Sequence, residues 1–138
     1  MLSCKVKRGS ITVSLLLMVF IVWSCNDTNK HIIDQYFITD FEGERSLTFK
    51  LNNGDYIDVV KPSVVEIAND EYFIIVKQHP QDFSKLPNKA VTNYFIIPLK
   101  SRLSKFADLN VYGPLTKDDF EIKKRSLKVS GGLTFTEL

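Results

Sequence analysis

The chain writes Tyr-Phe-Ile three times, at Tyr36-Phe37-Ile38, Tyr72-Phe73-Ile74 and Tyr94-Phe95-Ile96. Aromatic and β-branched side chains pack well on a pleated surface, so each copy reads as part of a strand. The copies lie 36 and then 22 residues apart, and unequal periods exclude the regular repeats of a solenoid or propeller. The economical expectation is three strands of one sheet, flanked by other short runs of Val, Ile, Tyr and Phe bounded by turn residues.

The segment RSLTFKLNNGDYIDVV specifies a hairpin, because its turn and its apolar pattern check each other. A two-residue Asn53-Gly54 loop would set Phe49 opposite Asp58 and mix a carboxylate into the apolar face. A three-residue loop, Asn52 to Gly54, instead pairs Leu51 with Asp55, Phe49 with Ile57 and Leu47 with Val59, and puts Gly54 where a left-handed residue is needed. The same letters do not make a calcium loop, since the alternating ligand series and the distal bidentate Glu are missing.

Next, SVVEIAND and EYFIIVKQH read as strand, tight turn at Asn69-Asp70, and strand. Tyr72, Ile74 and Val76 alternate with Phe73, Ile75 and Lys77, so both faces of the second strand are largely apolar and it belongs in the middle of a sheet. TNYFIIPLK is its expected neighbour, with Pro98 at the strand end where a missing ladder donor is tolerated. Between these two strands lies PQDFSKLPNKAVT, 13 residues with two prolines. That is longer than a hairpin needs, which makes the loop from His79 to Thr92 the place to look for binding.

A helix is expected after Gly113-Pro114. Thr116 is a suitable N-cap with Asp119 three residues on, Leu115 and Phe120 form a hydrophobic staple, and acidic residues lead while Lys123, Lys124, Arg125 and Lys128 follow. Gly131-Gly132 is the expected stop, and LTFTEL can return as a closing strand. SRLSKFADL can add a helical turn through Leu103 and Phe106. The fold class is therefore α+β: a mainly antiparallel β-sheet of about five to seven short strands with one capped C-terminal helix.

The amino-terminal part obeys different rules. Lys5, Lys7 and Arg8 precede an uncharged run from Ile11 to Trp23, and no acidic residue occurs before Asp27; this is the grammar of a signal peptide. As a helix those 13 residues would cover about 20 Å, short of the roughly 30 Å hydrocarbon core. The run ends in Val22-Trp23-Ser24-Cys25, which resembles the lipobox of bacterial lipoproteins, with Trp23 a departure from the usual small residue. The resemblance implies diacylglyceryl transfer to the Cys25 sulfur, cleavage after Ser24, and acylation of the new amino terminus. Residues 1–24 are then a lipoprotein signal peptide, 25–34 a polar tether, and 35–138 a single small domain. The mature chain has 114 residues, 15 Lys and Arg against 16 Asp and Glu, and no cysteine besides Cys25. It must be held by its core without disulfides, and its near-neutral charge argues against nucleic acid as a partner.

A second resemblance rests on YFIIVKQHP, then NYFIIP, then VYGPLTKDDF and a Lys/Arg-rich helix. Across roughly Ser63 to Leu127 the chain is similar to a family of small bacterial lipoproteins with a domain of unknown function. That likeness implies an envelope address and an α+β fold, and transfers no catalytic residue.

No nucleophile elbow, phosphate-binding loop, dinucleotide fingerprint, paired-His metal helix or cysteine cluster is written in the chain. The two histidines are His31, near the anchor, and His79, before Pro80; His79 with Asp82 falls short of a metal ligand set. The expectation is a non-enzymatic binding or support module without cofactor, metal or catalytic residues. It sits on the extracytoplasmic side of a bacterial membrane, through lipid on Cys25, with an unknown envelope protein as possible partner. An inhibitor or immunity-type lipoprotein and a hydrolase of envelope material are the alternatives. The hydrolase would require a pocket uniting His79 with a carboxylate and a hydroxyl.

Overall fold

In a computed structural model, which describes residues 29–82, 86–99 and 110–138, the strands divide between two antiparallel sheets. The first has the order β1-β2-β3-β4, from β1 (Asn29–Ile33), β2 (Tyr36–Phe41), β3 (Glu44–Lys50) and β4 (Tyr56–Val60). The second has the order β8-β7-β6-β5-β9, from β5 (Val64–Asn69), β6 (Phe73–Gln78), β7 (Asn93–Pro98), β8 (Tyr112–Leu115) and β9 (Thr136–Glu137), with helix α1 (Lys117–Leu127) between the last two strands. Expectation and structure agree on α+β, with β1 and β8 as strands the sequence did not announce. The segment expected to be a signal peptide, residues 1–24, and the helical turn expected in SRLSKFADL lie outside the described residues.

Two apolar layers explain the stacking. Tyr36, Ile38, Leu47 and Val60 of the first sheet pack against Val64, Ile67, Ile74, Val76, Phe95 and Ile97 of the second. On the other face of the second sheet, Ile75, Ile96 and Ala68 meet Phe120 of α1, with Tyr94, Leu115 and Phe135 around them. Strand β6 is central, and its neighbours Ile74 and Ile75, both fully buried, point into different layers, which is why its sequence is apolar on both faces.

Four expectations change. The Tyr-Phe-Ile copies fall in two sheets, with the first in β2 and the others at β6 and β7, and Tyr72 sits in the turn before β6. The hairpin keeps the Leu51–Asp55 and Phe49–Ile57 pairings, but a bulge sets Leu47 opposite Val60, so Val60 is the fully buried member and Val59 only packs, partly buried, against the same layer. Residues 29–33 of the span expected to be a tether, 25–34, belong to the fold instead, because Ile32 and Ile33 pack on the inter-sheet layer and β1 pairs with β2. The helix stops before Gly131: Lys128 takes a left-handed φ of 58°, its N–H donates to the Arg125 carbonyl, and Val129 N–H donates to the Lys124 carbonyl, which is a Schellman closure. Thr116 is the N-cap as expected, accepting from Asp119 N–H at 3.2 Å, and β9 is the closing strand, paired with β5. Among the described residues no helix is long and apolar enough to cross a membrane.

Candidate functional site

Where the β2–β3 hairpin meets the start of β5, the sheets part and leave a cleft of about 610 Å³. Its walls come from four stretches: Glu42 to Arg45 of the hairpin, Ser63 to Glu66, the pair Glu137-Leu138, and Leu86, Pro87 and Lys89 of the long loop together with His79. The loop expected to carry binding therefore walls a cavity. Its base is closed by Asn88 N–H donating to the Pro80 carbonyl at 2.9 Å.

The hairpin tip is a two-residue turn, with Phe41 paired to Glu44 and both Glu42 (φ 54°) and Gly43 (φ 82°) left-handed, the geometry that matches strand twist. Asp40 holds it by accepting from Gly43 N–H at 2.9 Å. Behind the tip, Arg45 Nε lies 3.5 Å from Asp40 Oδ2, and Arg45 Nη1 donates to the Leu138 carbonyl. Leu138 N–H in turn donates to the Val65 carbonyl at 3.2 Å, so the end of the described chain bridges the two sheets.

A second hydrogen-bonded series crosses the cleft. Ser63, buried and left-handed with φ 78°, donates from Oγ to Gln81 Oε1 at 2.8 Å, and Gln81 Nε2 donates to Glu44 Oε1 at 2.8 Å. His79 N–H donates to the Ser63 carbonyl at 3.0 Å. On its ring, Nδ1 donates to the Val91 carbonyl at 2.9 Å. A carbonyl can only accept, so this bond fixes the proton on Nδ1 and leaves Nε2 as the acceptor in the neutral ring. Just below, the buried Gln78 donates to the carbonyls of Lys61 and Pro62 at 2.9 and 3.2 Å, which pins the connection between the sheets.

The lining carries four carboxylates, Glu42, Glu44, Glu66 and Glu137, against Arg45 and Lys89, so its balance is negative. Glu66 is neutralised locally by Lys77 Nζ at 2.5 Å, and that ammonium also sits over the Phe135 ring at 4.4 Å. Among the described residues, no three His, Cys, Asp or Glu side chains converge as metal ligands. His31 lies elsewhere, donating to the Asp34 carbonyl at 2.8 Å and touching Phe37 edge to face. The Asn53–Asp55 pair bonds only within its own turn.

Of the residues singled out from sequence, the structure brings His79 to the cleft and leaves Asp82 exposed on the loop; Cys25 lies outside the described residues. Ser63, Gln81 and Glu44 were missed. They come from separate stretches with no motif spacing between them, and Ser63 holds a left-handed backbone that sequence would have assigned to glycine.

The family described as Protein of unknown function (DUF3997) matches residues 33–138. The chain belongs to that family. No curated protein and no solved structure matches it. The DUF3997 match runs from the last residue of β1 through Leu138, and so takes in the lining of the cleft and both apolar layers.

Proposed function

We propose that this protein is a lipid-anchored envelope module, held through Cys25 on the extracytoplasmic side of a bacterial membrane, that binds a partner in the cleft without transforming it. The observation that carries the binding part is how the cleft spends its own protons. The Ser63 hydroxyl proton goes to Gln81, the Gln81 amide to Glu44, and the His79 Nδ1 proton to Val91. A nucleophilic serine needs an imidazole nitrogen to take its proton, and a carboxylate orients that imidazole in a triad. Here the hydroxyl, imidazole and carboxylate are tied to the loop rather than to one another. Shape and negative balance remain as the means of recognition. The anchor is supported by the basic, apolar and Val-Trp-Ser-Cys sequence of residues 5–25.

Two measurements test this reading. Mass spectrometry of the mature protein is expected to show an amino-terminal Cys25 with diacylglyceryl on its sulfur and an acyl group on its amine, and an intact 1–24 segment or a free Cys25 thiol overturns the anchor. Replacing residues 82–87 by a short Gly-Ser connection keeps Gln81 and the Asn88 bond that closes the loop, and is expected to change stability by less than about 1 kcal/mol while abolishing retention of the envelope partner. A shortened protein that folds and keeps its partner places the binding surface elsewhere.

The second reading, a hydrolase of envelope material, is favoured by one observation: His79, the Ser63 hydroxyl and carboxylates do share a cleft. Hydrolysis by the purified lipoprotein that disappears in both Ser63→Ala and His79→Ala would establish it. An inhibitor or immunity-type role is the special case in which the bound partner is one exported protein.

A further inference from the structure

The β2–β3 hairpin tip carries Phe41 with 75% of its surface exposed, and Leu86, 89% exposed, lines the same cleft as the tip residues Glu42 and Gly43 that follow Phe41. A single exposed apolar residue is ordinary on a protein surface. What makes this pair informative is where the chain arrives. Asn29 pairs with Thr39, and Phe41 lies two residues further along β2, so the tip projects about 7 Å beyond Asn29 toward the incoming chain. Only residues 26–28 separate Cys25 from Asn29, and four peptide steps span at most about 14 Å. Fully stretched along the strand, that tether leaves the Phe41 backbone about 7 Å from the level of Cys25, and any slack brings it closer.

We propose that the hairpin tip, Phe41 first, rests in the headgroup region of the bilayer that holds the Cys25 lipid, so that the cleft walled by the tip opens along the membrane surface. The inference deepens the anchored reading and depends on it. Phe is among the apolar side chains that surface-bound proteins place at the boundary of headgroups and acyl chains. The contact need not be strong, because an anchor already present makes it intramolecular. Around the tip, Asp40, Glu42 and Glu44 outnumber Lys30 and Arg45, so a zwitterionic surface suits it better than an anionic one.

The full-length lipoprotein allows a direct test. Its one tryptophan is Trp23, inside the segment lost on cleavage after Ser24, so Phe41→Trp introduces a sole reporter in the mature chain. Asn53→Trp puts the same reporter at the opposite end of the first sheet. Both positions are exposed, so neither change disturbs packing, and Asn53→Trp gives up only the exposed bonds to Asp55 within its own turn. Each purified variant is reconstituted into phosphatidylcholine vesicles containing brominated phosphatidylcholine, and flotation is measured with fluorescence. The expected result is that both variants float, with the position-41 reporter blue-shifted and quenched roughly twofold or more beyond the position-53 reporter, because bromine lies only within the roughly 30 Å core. Floating protein whose two reporters are equally unquenched overturns the docking and leaves the anchor intact. Protein that does not float, with a free Cys25 thiol, overturns the anchor and the docking with it.

Discussion

The two faces of the second sheet are built on different plans. The face toward the first sheet is a broad layer of mostly aliphatic side chains supplied by strands on both sides. The face toward α1 depends on one fully buried helix residue, Phe120, whose ring lies 4.8 Å from Tyr94 and 6.0 Å from Phe135. Ile74 and Ile75 show the contrast within one dipeptide. The difference teaches that stability can be spread over many positions or concentrated in one, and that only the second arrangement can be undone by a single truncation without loosening the rest.

The sharpest way to break that comparison is Phe120→Ala. It is expected to cost about 3–5 kcal/mol, read by urea unfolding, and in hydrogen exchange it should expose α1 while the amides of β2 and β3 stay protected. Leu47→Ala on the other face should cost about 2–5 kcal/mol and raise exchange across both sheets. Equal patterns from the two variants would mean that the layers are not separable.

A smaller effect tests how α1 is held at its start. Thr116→Ala removes the acceptor of Asp119 N–H and is expected to lower stability by about 1 kcal/mol, with no change in the exchange of β2 and β3. An unchanged urea midpoint would show that packing of Phe120 fixes the helix without its cap.

The mildest probe addresses the inter-sheet face through pH. Burial, with a lesser contribution from Asp34, pushes Tyr36 from the usual 10.0 up to about 12. The folded protein thus keeps a proton that the unfolded chain releases, and stability that is full below pH 10 should be lost progressively as pH rises toward about 12. Tyr36→Phe should flatten that decline in a pH series of urea midpoints. An unaltered slope would remove Tyr36 as its source.

Sequence legibility followed the same division. The two-faced alternation of Phe73 to Lys77 placed β6 correctly, and Thr116, Leu115 and Phe120 located the helix start, because local hydrogen bonding and burial agree there. Assigning the three Tyr-Phe-Ile copies to one sheet failed because each β-rich tripeptide records only that a pleated surface is near, not which one. The stop at Gly131-Gly132 failed because Lys128 took the left-handed position that glycine usually fills. Of the cleft, only the long loop and His79 could be read ahead. Glu44, Ser63 and Gln81 meet through tertiary geometry, and Gln81 is 37 residues from the carboxylate that accepts its bond.

The strand order itself bears on how the protein forms. Within each sheet, β1 to β4 and β5 to β8 are neighbours in space as they are in sequence, so nearly all pairing is by local closure and is kinetically undemanding. The exception is β9, which crosses from Thr136 back to Ile67 and brings Leu138 between Val65 and Arg45. Two meanders can thus assemble hairpin by hairpin from the amino-terminal side. The long-range stitch has to wait until β5 and β3 are already in place to receive it.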